Sequence, residues 1–337
     1  MADFLFPTSA ELREIAQDYL PNLLAQRPVF DIFPIREIDQ ALVMWEQEDN
    51  YTGLQQVRGL DGQPPKISKL GVKRYQMQPG VYGEYSLIDE TELTIRRGYG
   101  TFATPINVSD LVLREQRRLL GRRLDRIESI VWTLLTTGTF AVAGPAGAIL
   151  HSDSYTMQTY TAPVAWATSA TAAPLADLRA VQLLHRGHSV SFGPTAIAWM
   201  NQVTANRLFT NTNNADIYGR RTAGLGTYNS EAQLNMLFAG DGLPQIRIYD
   251  GGYLDETATF QPFIPNGVVD VIGKRTDGAP VGEYQMTRNA NNANLAPGAY
   301  MRVVDDEDQI PRQIAVHDGH SGGPALFMPS AIVRMAV

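Results

Sequence analysis

A chain of 337 residues is long enough to bury a sizeable core, so it needs no disulfide or metal staple to fold. It has no cysteine, which excludes disulfides, thiolate nucleophiles and cysteine-ligated zinc or iron–sulfur centres. The net charge of −7 argues against a nucleic-acid-binding protein, because phosphate contacts need a clustered cationic surface. Lys66, Lys69, Lys73 and Lys274 are the only lysines among 28 basic residues, and the rest are arginine. Such a bias suits repeated bidentate protein–protein contacts, and codon usage in a GC-rich genome accounts for it equally well. The start, MADFLFPTSAELREI, lacks a basic region followed by an apolar core, and no uncharged apolar stretch is long enough to span a bilayer. The chain is therefore expected to act in the cytoplasm.

In chain order, residues 1–47 predict a short amphipathic helix from Ser9 to about Leu24, with Ser9 as N-cap. The segment RPVFDIFPIREID follows, where Pro28 and Pro34 are expected to break any helix. Val29, Phe30, Ile32, Phe33 and Ile35 are too apolar to lie free in water, so this arm packs either on its own domain or on a neighbouring subunit. Residues 48–88 read as an extended hairpin, since Gly59, Gly62, Pro64, Pro65, Gly71, Pro79, Gly80 and Gly83 are too many breakers for a helix. A coreless loop of this length tends to be functional or to order on a partner.

Asn107, Ser109 and Asp110 then supply cap chemistry for an uninterrupted run to Gly138. Leu113, Leu120, Leu124, Ile127, Val131 and Leu134 mark one apolar face, and Arg114, Arg118, Arg122, Asp125 and Glu128 take other positions. This spine helix, about residues 109–137, would be ~40 Å long. Too few heptads favour a coiled coil. A strand in AILHSDSYTMQTY and a helix from Pro174 to about Arg186 come next. Residues 188–296 read as a separate α/β unit with strand TAIAWM, helix NQVTANRLFTN and strands QIRIYDGGYL and VVDVIGK. A hairpin around DDED and two closing apolar strands, RQIAVHD and SAIVRMAV, complete the chain.

The strongest enzymatic motif is Gly319-His320-Ser321-Gly322-Gly323-Pro324, which matches G-x-S-x-G and is similar to the nucleophile segment of chymotrypsin-like proteases with His in place of Asp. A serine hydrolase using Ser321 would need a base held by a carboxylate, yet no histidine follows Ser321 and too little chain remains for a second barrel. A glycine turn between strands is the expected reading. His185 and His188 have no carboxylate at metal-ligand spacing, and no phosphate-binding glycine loop occurs. The sequence therefore offers no catalytic, cofactor-binding or metal residue.

The order of parts resembles the lambda-type major capsid protein E family of tailed bacteriophages, which has the Hong Kong 97-type capsid fold. The resemblance rests on RPVFDIFP, PGVYGEYSLIDETELTIRR, ESIVWTLLTTGTF, IRIYDGGYLDETATFQPFIPNGVVDVIG and SGGPALFMPSAIVRMAV, and it covers nearly the whole chain. It implies an α+β fold with an N-terminal arm at 1–47, an extended E-loop hairpin at 48–88, and a P-domain at 89–187 that holds the long spine helix. An A-domain at 188–296 and P-domain C-terminal strands at 297–337 complete the implied layout. It further implies a virion protein, built in the bacterial host cytoplasm, that self-assembles into hexamers and pentamers of an icosahedral shell around double-stranded DNA. Scaffolding protein, portal and a decoration or cement protein are the implied partners, with packaged DNA touched only non-specifically and no membrane. Phe30, Phe33, Arg58, Lys66, Lys69, Lys73 and Arg74 are the candidates for inter-subunit contact. The negative charge would keep the genome off the wall if acidic residues face inward. A portal-neck or tail structural protein is the alternative of the same general class.

Overall fold

The computed structural model describes residues 18–48, 54–58, 60, 62–63, 72–95, 108–143, 149–184, 186–188, 190–212, 230–255, 257–275, 277–306 and 311–337. Residues 18–25 form helix α1, and one helical turn, α2 (Val29–Ile32), follows. Contrary to the expectation that the prolines forbid helix here, Pro28 takes the N-cap, where its missing N–H removes no helical bond. Next come β1 (Ile35–Glu37), β2 (Val43–Glu48), β3 (Val72–Met77), β4 (Gly80–Ile88), α3 (Glu90–Ile95) and the long α4 (Val108–Thr137). The middle of the chain holds β5 (Thr139–Ala143), β6 (Ile149–Ser154), β7 (Gln158–Thr161), α5 (Pro174–Leu184), β8 (Val190–Ser191), β9 (Ile197–Met200), α6 (Gln202–Phe209), α7 (Glu231–Gly240) and β10 (Gln245–Ile248). Strands β11 (Gly252–Leu254), β12 (Phe260–Pro262), β13 (Val268–Ile272), β14 (Lys274–Arg275), β15 (Gly282–Met286), β16 (Tyr300–Asp306), β17 (Gln313–Leu326) and β18 (Ile332–Ala336) follow.

The chain divides into two compact units. The first comprises residues 1–43, 76–130 and 283–325. Its sheet runs β1-β15-β17-β16, with β4 also pairing β17. Strand β17 is antiparallel to β4 from Ile314↔Ile88 to Gly322↔Gly80, and to β16 from Tyr300↔Gly319 to Asp306↔Gln313. The expected hairpin at 48–88 is therefore shorter, because Gly80–Ile88 belongs to this sheet. Leu111, Val112 and Leu119 of α4 pack with Ile88, Met301, Ile314 and Val316 in one apolar cluster. Of the apolar face expected for α4, Leu120, Leu124, Ile127, Val131 and Leu134 are buried, whereas Leu113 is only half-buried and this cluster is filled by Leu111, Val112 and Leu119 instead.

The second unit comprises residues 44–75, 131–282 and 326–337. Its sheet runs β10-β9-β13-β18-β7, so the C-terminal strand sits inside it, between β13 and β7. Strand β18 has neighbours on both edges, and its Ile332, Val333 and Met335 are buried. Helix α6 is capped by Asn201, whose side chain accepts from the Thr204 N–H at 2.8 Å. Asn235 ties α7 to β10 by accepting from Ile246 N–H at 2.6 Å and donating to its carbonyl at 2.8 Å. Asp270, fully buried in β13, lies in register with Trp199 and Arg334, yet neither of its oxygens accepts a hydrogen bond among the described residues. Burial pushes its carboxyl up to about 7, against the pull of Arg334.

Candidate assembly surfaces

Between β4, α4 and β17 the first unit carries a band of polar side chains around a cleft of about 200 Å³. Arg123 donates from Nη1 to both oxygens of Asp318, at 3.0 and 2.8 Å, and both side chains are almost buried. Burial raises the Asp318 carboxyl above its usual range, and Arg123 opposes the shift. Arg122 pairs with Glu84, which that bond holds below the usual carboxylate range. Arg27 joins Asp125 at 2.5 Å and the buried Glu128 at 3.3 Å, securing α1 to the spine. These partners are separated by 38 to 195 residues in sequence, so no local spacing marks them.

His320 and Ser321, the core of the hydrolase motif, lie within continuous strand β17 rather than in a glycine turn. Adjacent strand residues point to opposite faces, which separates the two side chains. His320 stacks on Tyr82, with ring centroids 5.2 Å apart, and its Nε2 lies 3.0 Å from the Tyr284 hydroxyl. Burial, with Arg123 and Arg126 adding repulsion, pulls its pKa down to about 3, so the ring is neutral. Ser321 Oγ accepts from Thr287 Oγ1 at 2.9 Å and is buried. The glycines permit close strand approach: a Cβ on Gly322 would stand 2.4 Å from the Gln285 carbonyl oxygen, and one on Gly319 would stand 2.6 Å from that of Tyr82. Among the described residues no three His, Asp or Glu converge as a metal site requires, and His185 lies outside them. No described helix is long and apolar enough to cross a membrane.

The contact candidates separate into three groups. Phe30 and Phe33 are 8% and 0% exposed, so the expectation that they meet a neighbour gives way: both are buried in the chain's own core. Lys66 and Lys69 lie outside the described residues. Arg58, Lys73 and Arg74 are exposed; Arg58 donates to the Gly62 carbonyl at 3.2 Å, and Arg74 joins Glu46 at 2.7 Å across the β2–β3 pair. Sequence reasoning missed Leu54, Val57 and Leu60, which are 98%, 97% and 100% exposed in the segment joining these strands. Three apolar residues at close spacing in a breaker-rich loop were the available signal. At the base of this hairpin, Trp45 stacks between Tyr75 and Tyr155, at 5.5 and 5.9 Å.

Solved structures share the overall fold of the chain. A protein described as a prophage capsid protein of E. coli CFT073 is 15% identical, with a TM-score of 0.61 over 95% of this chain and 98% of that one. A phage-related protein of Bordetella bronchiseptica RB50 is 10% identical, with a TM-score of 0.55 over 92% and 91%. The capsid of cyanophage P-SCSP1u is 8% identical, with a TM-score of 0.50 over 90% and 86%. No curated protein matches the sequence. The fold is thus the α+β, Hong Kong 97-type fold of phage capsids. Residues 13–317 match the family described as phage major capsid protein E, and the chain belongs to that family of shell-forming proteins.

Proposed function

We propose that the chain is the repeating subunit of an icosahedral phage head, assembling in the bacterial cytoplasm as hexamers and pentamers around double-stranded DNA and remaining in the virion. The family match across residues 13–317 carries this reading. In it, residues 1–47 form the arm, the segment between β2 and β3 is the extended loop, and the P-domain and A-domain correspond to the first and second compact units, with β7 and β18, expected in the P-domain, joining the sheet of the second. Scaffolding, portal and decoration proteins are its further partners. The subunit performs no chemistry of its own, a reading supported by the separation of His320 from Ser321 on β17.

The loop supplies the contact that links subunits. Fully burying a Leu or Val side chain stabilises by about 1.5–3 kcal/mol, so Leu54, Val57 and Leu60 bring several kcal/mol to a neighbour's surface, less the cost of ordering the loop. Arg58, Lys66, Lys69, Lys73 and Arg74 accompany them along the sequence with positive charge. Because every subunit gives and receives such a contact, modest individual affinities become a stable shell. Electron microscopy of the expressed chain tests the proposal. Spherical shells are expected, whereas rings or tubes would move the chain to the portal-neck or tail class.

A further inference from the structure

Five arginines, Arg114, Arg117, Arg118, Arg122 and Arg126, lie exposed along the outer side of α4. Four of them recur every fourth residue, so the row extends about 18 Å with a cation roughly every 6 Å. Like charges at this spacing repel across each helical turn and weaken the helix. Their compensation within the subunit is incomplete. Arg118 lies 3.2 Å from Glu115 and Arg122 pairs with Glu84, while Arg117 sits over the Tyr19 ring at 4.0 Å and Arg126 over the Tyr82 ring at 5.9 Å. Arg114 and Arg126 make no ion pair among the described residues, and Asp110, a turn before Arg114, makes none with it. Five guanidinium groups less Glu115, Glu84 and the exposed Asp110 leave an excess of two positive charges, in a chain whose net charge is −7.

Gly121 adds an independent observation. It is half-buried beside the row, and nothing lies within 4 Å of where its Cβ would be. Glycine weakens a helix interior, and here no packing demands it. Its effect is to leave the helix surface bare one turn beyond Arg117 and Arg118, where a rigid rod can come close to the helix backbone. The buried pairs Arg123–Asp318 and Arg27–Glu128 show the opposite pattern, each cation being consumed by a carboxylate of the fold.

We propose that this arginine row is the surface on which the subunit holds duplex DNA, gripping backbone phosphates without reading sequence. Evenly spaced, planar, bidentate donors suit the regular phosphates of a duplex better than the irregular carboxylates of an acidic peptide. That the duplex is packaged genome rests on the assembly reading above; the row's affinity for DNA does not. Net charge therefore misleads at this face, where the cations are clustered.

The test uses the full-length unassembled chain and a fluorescent duplex of about 30 base pairs, with anisotropy followed as salt rises from about 50 to 200 mM. Two released counterions predict affinity falling about 12-fold over this range, and the double variant Arg114→Gln/Arg126→Gln should show almost no fall. Gly121→Leu should weaken binding while keeping the helix, and Arg302→Gln, exposed on β16, should change nothing. Absence of binding at low salt, an equal effect of Arg302→Gln, or poly-glutamate binding that needs the row while duplex binding does not, would each overturn the proposal. Electron microscopy separates the two readings: a wild-type chain that binds duplex through the row yet forms no shells refutes the assembly reading alone.

Discussion

Replacing His320 by Phe isolates the thermodynamic cost of keeping a neutral imidazole in the core of the first unit. The folded ring titrates at about 3 and the unfolded one at 6.5, so between these values the unfolded chain binds one more proton. Stability is then fully present above the unfolded pKa and is lost as pH falls toward the folded pKa. At pH 4 the interval of roughly 2.5 pH units corresponds to about 3 kcal/mol. Phe keeps the stack on Tyr82 but leaves the buried Tyr284 hydroxyl without its partner, which costs about 1–3 kcal/mol at neutral pH. Urea unfolding of the dilute, unassembled chain, followed by circular dichroism at pH 4 to 7, should show the wild-type advantage at neutrality shrinking or reversing in acid. A difference between the two proteins that stays constant with pH would refute the reasoning, since it would mean that His320 titrates alike folded and unfolded.

Asp270 carries the opposite sign: with a folded pKa of about 7 against 3.8 unfolded, the wild type loses up to about 4 kcal/mol as pH rises through that interval. Asp270→Asn should remove this loss, read by tryptophan fluorescence because Trp45, Trp132, Trp166 and Trp199 all lie in the same unit, and parallel pH curves would contradict it. Ser321→Ala should lose one buried hydrogen bond, about 1 kcal/mol, and still form shells; labelling of the wild type by a fluorophosphonate would make Ser321 a nucleophile after all. Deleting Val57 to Lys73 should leave a soluble folded chain that forms no shells, and normal shells would show the loop to be dispensable. Mature particles boiled in detergent should run as a single band at the mass of one chain. A ladder would show an isopeptide network between a lysine among Lys66, Lys69 and Lys73 and an asparagine such as Asn266, Asn289 or Asn291.

Much of the architecture was legible wherever local chemistry governs it. The spine helix, expected at about 109–137, spans Val108–Thr137 because its apolar period and the terminating Gly138, at φ +75°, act within a few residues. The family was legible too, since its motifs are stretches of chain rather than constellations in space. The candidate contacts were less so. Phe30 and Phe33 looked available because the sequence cannot say whether an apolar arm meets its own core or another subunit's, and only packing shows that they are buried.

Composition, helix period and family membership were thus properties of the sequence by itself. Tertiary structure alone decided the state of Gly319 to Gly323, where glycine reads locally as a turn but serves close approach between strands whose partners are distant in the chain. It also decided which charges are structural. Arg122, Arg123 and Arg126 are near neighbours on one helix, yet Arg123 is buried against Asp318 while Arg122 and Arg126 face outward. The physical reason is the same in both cases: burial and pairing depend on residues brought together from far apart, and spacing along one segment carries no record of them.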